Sequence, residues 1–363
     1  MIRPLVSIII PAYNCEKYIE QTLKSLINQT LKDIEIIVIN DGSSDNTESI
    51  IKKYIDIDKR IKLINQNNLG VAIARNRGIK ESTGKYISFV DHDDCVDEKL
   101  YEKLVKGSKK LSVDIVKCGF SAIEDLTNRE LYNMRFKLNE DQIYNKDFIW
   151  QNIIKSILGI SYNKMPSWLK NKNQASENYN FVWASIYKSE LIKGNDIKFS
   201  EQIVLGEDTY FNLRAFAKAN SFTIINEKLY FWRQFNESTS KKFDLNAGKK
   251  RLDTLEAKKE FCDLYKLDDS FRTHYRGQGI LLILFYIFNL CRRENTLTYK
   301  QNIHIIKDMM KKDIVKECCE GLTLNGYEIK YKIPLFLIKI RAYRSLYILC
   351  KIATNININP YNV

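Results

Sequence analysis

The sequence predicts an α/β protein, a mostly parallel sheet flanked by helices, followed by a mainly helical C-terminal region. Three observations carry that prediction. Short β-branched apolar runs alternate with helically spaced apolar residues through the first 120 residues. The connections between them are short, which favours parallel βαβ units. Beyond Ser240 the apolar residues fall mostly at helical spacing, to about Met310, and the pattern is mixed after that.

The elements follow in order. Leu5–Ile10 is a continuous apolar run, as expected of a strand covered on both faces. Glu16–Gln29 places Ile19, Leu23, Leu26 and Ile27 at helical spacing. Ile34–Ile39 predicts a second strand, and Asp41-Gly42-Ser43-Ser44 a loop leading to a helix over Thr47–Ile55. Ile61–Ile64, Val71–Lys80 and Lys85–Val90 read as strand, helix and strand, and Val113–Cys118 as a further strand. Residues 121–180 are polar and weakly periodic, around Trp150 and Trp168, and read as a helical insertion that shapes the acceptor side. Regularity returns at Phe181–Tyr187, with a helix over Asp208–Lys218 and a strand pair at Phe222–Ile225 and Lys228–Trp232. The expected domains are therefore 1–240, which contains the insertion, and a basic helical region over 241–363.

Composition narrows the class. With 45% hydrophobic and 12% aromatic residues the chain can bury a large core. Eight cysteines are scattered without CxxC pairs, and three histidines do not complete a Cys/His zinc site. Reduced thiols in a cytoplasmic protein are expected, with no secretory signal in the first residues and no apolar run long enough to cross a membrane. From Lys241 onward 23 Lys+Arg face 13 Asp+Glu, so most of the net charge of +13 lies in the last third. That excess suits an anionic partner, although the chain shows no nucleic-acid motif, and solvated lysine faces would also produce it.

Chemistry concentrates where the predicted strands end. Lys85–Val90 runs directly into Asp91-His92-Asp93-Asp94. Three carboxylates so close repel one another unless a cation sits among them. At the carboxyl end of a parallel strand the fitting cation is Mg²⁺ or Mn²⁺ on a nucleotide diphosphate. A polar turn before a helix is the competing reading. Pro11-Ala12-Tyr13-Asn14 and Asn40-Asp41-Gly42-Ser43 end at the same sheet edge. There Tyr13 can stack on a nucleobase and Asp41 can accept an N–H such as uracil N3; rim packing and N-capping are the alternatives. Arg75 and Arg77 share a predicted helix from which either can reach a diphosphate. Glu207 and Asp208 open another, where acids serve as caps or as a general base. Arg233 lies in Tyr230–Ser240, a segment able to close over a phosphate or sugar, or to be a plain strand and loop.

Taken together these segments resemble the family-2 glycosyltransferases of GT-A fold over residues 4–240. The resemblance rests on Val6–Asn14, Ser25–Thr30, Ile37–Asp45, Ala74-Arg75-Asn76, Asp91–Asp94, Glu207-Asp208 and Tyr230…Arg233…Ser238. It implies inverting transfer of a hexose or N-acetylhexosamine from a UDP-sugar to a saccharide hydroxyl. It assigns Asp41 to the base, Pro11, Tyr13, Arg75, Asp91 and Arg233 to the donor, and Asp93 with Asp91 to Mn²⁺ or Mg²⁺. Asp208, with Glu207 beside it, matches the catalytic base. The family's usual Asn-Lys after the tryptophan is Ala184-Ser185 here, and His92 reads as a spacer. The setting implied is bacterial surface polysaccharide, O-antigen or lipooligosaccharide synthesis on a saccharide acceptor, free or lipid-linked. The alternative is a catalytically silent saccharide-binding or scaffolding relative. Basic and apolar residues alternate through the last forty positions, as in one long helix lying on the inner, anionic face of the plasma membrane or packed on the catalytic domain.

Overall fold

The structure, a computed structural model, describes residues 3–125, 127–140, 142–170, 179–235 and 243–355. The chain begins with β1 (Val6–Ala12), α1 (Ile19–Ile27), β2 (Ile34–Asp41), α2 (Thr47–Ile57), β3 (Ile61–Gln66), α3 (Val71–Glu81) and β4 (Tyr86–Phe89). Next come β5 (Cys95–Val96), α4 (Leu100–Leu111), β6 (Ile115–Glu124), β7 (Glu130–Met134) and β8 (Tyr144–Asn145). The short α5 (Lys146–Phe148), a π-helical stretch Ile149–Ile154, α6 (Lys155–Leu158) and α7 (Met165–Lys170) follow. Then come β9 (Ser185–Lys188), α8 (Ser189–Gly194), α9 (Glu207–Lys218) and β10 (Ser221–Gln234). The remainder is helical: α10 (Ala247–Leu264), α11 (Asp269–Leu290), α12 (Tyr299–Lys311), α13 (Asp313–Cys319), α14 (Ile329–Lys339) and α15 (Tyr343–Asn355).

Two compact units share the chain. The first comprises Met1–Ile154, Glu177–Gln202 and Glu207–Ser238, and the second Lys155–Ser176, Ile203–Gly206 and Thr239–Val363. The second unit thus takes 155–176 from the stretch expected to be an insertion, and that stretch opens not with helix but with the end of β6 and β7.

The first unit is a ten-stranded sheet in the order β3-β2-β1-β4-β9-β6-β10-β5, with β7 on β6 and β8 on β10. The ladders β1–β2, β2–β3, β1–β4 and β6–β10 are parallel, and shorter antiparallel ones extend the sheet. β1 and β2 are buried along their whole length, as their unbroken apolar runs require. Between β1 and β4 the strand order reverses, which opens a crevice at their carboxyl ends. α3 lies against β1 and β2, and Gly78 allows it, since a Cβ there would run into Ile9.

Two expectations need correction. The pair predicted at Phe222–Ile225 and Lys228–Trp232 is one strand, β10, bulged between Ile225 and Lys228 and again before Tyr230. Asn226 and Glu227 read as a turn, but the chain continues in the same direction along β6, because an extra residue in a ladder bends a strand without reversing it. The single long C-terminal helix is two, α14 and α15, broken where Arg341 adopts φ 58°.

The second unit is built on α11, which packs against α10, α13 and α15 and buries Ile280, Leu284 and Ile287. Among the described residues no helix is long and apolar enough to cross a membrane.

Candidate active site

Each loop at the crevice is fixed by a neighbour. After β1, the Asn14 carboxamide accepts from Ser44 N–H (2.8 Å) while Asn14 N–H donates to Ser43 (3.0 Å), which ties the first two loops together. Gly42, at φ 75°, turns the second loop where a side chain would strike the backbone at Asn68. Tyr13 stands on the rim, 44% exposed, with its ring free to stack on a ligand. Pro11 is buried in β1, and its carbonyl faces His92 Nδ1 at 3.1 Å. His92 is therefore a brace between the loops that follow β1 and β4.

Asp41 ends β2 and is buried. One carboxylate oxygen accepts from Gln66 Nε2 (2.8 Å) and Leu69 N–H (2.9 Å), the other from Gly70 N–H (2.8 Å). Gly70 is the N-cap of α3 and has no side chain, so Asp41 does the capping from another element. One lone-pair site remains, on the oxygen that faces Gly70, for a base N–H.

The acidic loop is held from four directions. Thr22 Oγ1, on α1, lies 2.8 Å from the carbonyls of both His92 and Asp94, and Gln29 Nε2 donates to the Asp97 carbonyl (2.7 Å). From β10, Tyr230 O–H and Arg233 N–H donate to Asp94, at 2.6 and 2.8 Å. Arg233 is buried, and its guanidinium is spent on the Asp93 and Asp125 carbonyls (both 2.9 Å), on Gln21 Oε1 (2.8 Å) and, more loosely, on the Asp125 carboxylate (3.5 Å). It thus fastens the loop from inside rather than facing the crevice. The rest of its segment, Asn236–Ser240, lies outside the described residues.

The three acids of the loop differ. Burial drives the Asp94 carboxyl well above the usual carboxylate range, with Asp93 and Asp91 adding to it. Both of its oxygens face protein donors. Asp93 is also raised, first by burial, with His92 opposing and Asp91 adding. Among the described residues no ion pair reaches its carboxylate, and the one hydrogen bond to it comes from its own backbone N–H. Asp91 gives one oxygen to Arg75 Nη2 (2.8 Å) and keeps the other.

Arg75 is the centre of the site. It is 4% exposed, on α3, and bridges Asp91, Glu207 (3.2 Å) and Asp208 (2.7 Å). Phe199 lies under its guanidinium at 5.2 Å, and Asn76 next along α3 binds Phe199 through both backbone groups (3.0 and 2.9 Å). One cation therefore faces three carboxylates. Burial lifts Asp208 to about 7; Arg75 pulls it down, while Glu207 and Asp91 push it up. The shared guanidinium does not offset the loss of water, so the group titrates near neutrality. About a fifth of its side chain stays open to solvent (21%), and its second oxygen faces Val182 N–H at 3.3 Å.

The structure thus brings Arg75, Asp91, Glu207 and Asp208 together and leaves Asp93 open beside them. It ties Asp41 into the same unit through α3, and turns Arg233 inward. Sequence reasoning missed Thr22 and Tyr230 as supports, since both act from segments distant in the chain and no local pattern announces them. Trp183 stacks between Phe181 (4.2 Å) and Tyr230 (4.6 Å), and Ala184 after it adopts φ 53°.

A divalent metal fits this donor set. Among the described residues no group of three or more His, Cys, Asp or Glu could hold an ion alone. One open carboxylate and the free oxygen of a second match Mg²⁺ or Mn²⁺, which take most of their ligands from phosphate and water.

Residues 7–163 match the profile of glycosyl transferase family 2. The uncharacterized glycosyltransferase EpsJ of Bacillus subtilis (strain 168) is 36% identical over 231 residues. Over residues 7–163 the chain is similar to glycosyltransferase family 2. The EpsJ match covers 64% of this chain and 61% of EpsJ, so the chain spans less than two thirds of that relative. The cholesterol galactosyltransferase of Borreliella burgdorferi is 27% identical and aligns over 94% of the chain and 93% of its own length. Among solved structures, S. aureus TarS 1-349 in complex with UDP-GlcNAc superposes with TM-score 0.62 at 19% identity, covering 97% of this chain and 92% of that one. That likeness is one of fold.

Proposed function

We propose that the protein transfers a hexose or N-acetylhexosamine from a UDP-sugar to an acceptor hydroxyl, with inversion, in the assembly of a bacterial surface saccharide. The observation that carries this reading is the shared guanidinium. Arg75 holds Asp208, raised to about 7, in one cluster with Asp91 at the crevice. A carboxylate titrating near neutrality suits a general base. In the reaction the Asp208 carboxylate takes the acceptor hydroxyl proton as that oxygen attacks the anomeric carbon. The bond from that carbon to the diphosphate breaks, and UDP leaves with the electron pair. Glu207 and Arg75 hold Asp208 in place. Asp93 and the free oxygen of Asp91 would hold Mn²⁺ or Mg²⁺, which when bound neutralises charge on the leaving diphosphate. Tyr13 and the remaining lone pair of Asp41 receive the base.

We assign these steps to the first unit and place them on the cytoplasmic side; the eight free thiols support that placement. A sterol or other lipid hydroxyl is a second reading of the acceptor. It is favoured by the relative that aligns over nearly the whole chain and is named for cholesterol. The test is UDP release with Mn²⁺ from UDP-Glc, UDP-Gal, UDP-GlcNAc and UDP-GalNAc, with saccharide and with sterol acceptors. Release from one donor, lost on chelation and in Asp208→Asn, supports the reading. No release from any donor, or release untouched by that substitution, overturns it.

A further inference from the structure

α14 carries an apolar face that, among the described residues, nothing in its own unit covers. Ile329, Ile333, Phe336 and Ile340, at the end of the helix, follow one another by three or four residues and so fall on one side. They are 73%, 46%, 46% and 52% exposed. The opposite side, with Tyr331, Leu335 and Ile338, is buried. The helix is thus apolar on both sides, which an ordinary surface helix avoids. Lysines flank the exposed stripe: Lys330 on one edge, Lys332 and Lys339 on the other.

Lys339 also lines a cavity of about 520 Å³ in the same unit, with Lys307, Lys311, Lys316, Arg341 and one carboxylate, Glu320. Lys311 and Lys316 pair with Asp308 (3.0 Å) and Asp313 (2.8 Å). Among the described residues, Lys307 and the Arg341 guanidinium make no hydrogen bond or ion pair. Arg341 sits at φ 58°, at the break between α14 and α15, so the bend itself brings a cation to the cavity.

We infer that the α14 stripe and this cavity form one docking surface for an anionic lipid bilayer, the stripe entering the interface and the cavity receiving phosphate headgroups. An exposed apolar stripe between lysines fits the boundary of acyl chains and anionic headgroups. A cavity with two unpaired cations fits a phosphate, which Arg can grip bidentately. A second copy of the chain suits the surface less, because a symmetric contact would set the same lysines against each other. Nucleic acid would use the cations and leave the stripe in water.

The test is co-sedimentation of the full chain with phosphatidylcholine vesicles, with and without phosphatidylglycerol, in the absence of donor and metal. The result is then independent of catalysis, so a chain that transfers sugar but ignores vesicles defeats this inference alone. Binding should require phosphatidylglycerol and weaken with salt. Lys307→Glu with Arg341→Glu should lower it roughly tenfold or more, since each cation near such a surface contributes about 1 kcal/mol. Ile333→Ser with Phe336→Ser, at exposed sites, should lower it severalfold with the thermal melt unchanged. Lys53→Glu with Lys99→Glu, an equal charge change in the first unit, should leave most of the binding. The inference is overturned by equal binding to both vesicle types, by the control pair acting as strongly as the cavity pair, or by a serine pair that breaks a dimer without changing vesicle binding. Duplex DNA bound as tightly as vesicles at the same salt also overturns it.

Discussion

Arg75 and Arg233 are both buried in the first unit, beside the same acidic loop, and they do opposite work. Arg75 is surrounded by three side-chain carboxylates, whereas the Arg233 guanidinium bonds chiefly to backbone carbonyls and carboxamides, with a single, looser carboxylate partner in Asp125 at 3.5 Å. Carboxylates change charge, so the environment of Arg75 responds to pH and to a cationic or anionic ligand. Carbonyls do not, so Arg233 acts as a fixed fastening. A buried arginine next to a site is thus not by itself a ligand-binding group; the chemistry of its partners decides.

The largest test of this contrast is Asp208→Asn. As a general base Asp208 should account for about 10²–10⁴-fold in kcat, with KM for the donor little changed. Unchanged turnover would make the Arg75 cluster structural and erase the difference between the two arginines.

Next, Arg75→Met and Arg233→Met should both lower the melting temperature. Removing one partner of a buried charge set costs about 3–5 kcal/mol, and orphaning buried carbonyls roughly 1–3 kcal/mol each. They should separate in pH–rate profiles. Activity of the parent protein should rise with pH through about 7 as Asp208 loses its proton. Arg75 is the cation that pulls that pKa down, so Arg75→Met should move the midpoint higher. In Arg233→Met the midpoint should stay. Equal midpoints in the two variants would refute the contrast.

A smaller effect is expected at Asp41→Ala, which leaves the Leu69 and Gly70 N–H groups without their acceptor. A loss of about 1–3 kcal/mol in stability is expected, with a raised donor KM. A change in KM alone would show that α3 is held without Asp41.

The sequence displayed the half of this arrangement that depends on local pattern. β1, β2 and β4 announce themselves as apolar runs, and the acids after β4 and at the start of α9 stand out because charge is unusual so close to such runs. It did not display pairing. Arg75 meets Asp208 across more than a hundred residues, and apart from the family resemblance at Ala74-Arg75-Asn76 nothing in the local pattern distinguishes it from Arg77, which lies in the same helix. Arg233 could be read as a phosphate ligand because a strand's burial on both faces depends on neighbours that are distant in the chain. The break after α14 was equally hidden, since the residue that turns there is an arginine, not a glycine.

α3 carries a last consequence. Its cap is a glycine, a second glycine lies inside it, and its apolar pattern is weak, so as an isolated peptide it would hardly form. Asp41 holds the Leu69 and Gly70 amides that lead into the helix, Arg75 is locked among three acids, and Asn76 is bonded to the Phe199 backbone. In deuterium exchange its amides should therefore open only when the whole first unit opens, behaving as the slowest class despite the poorest local propensity.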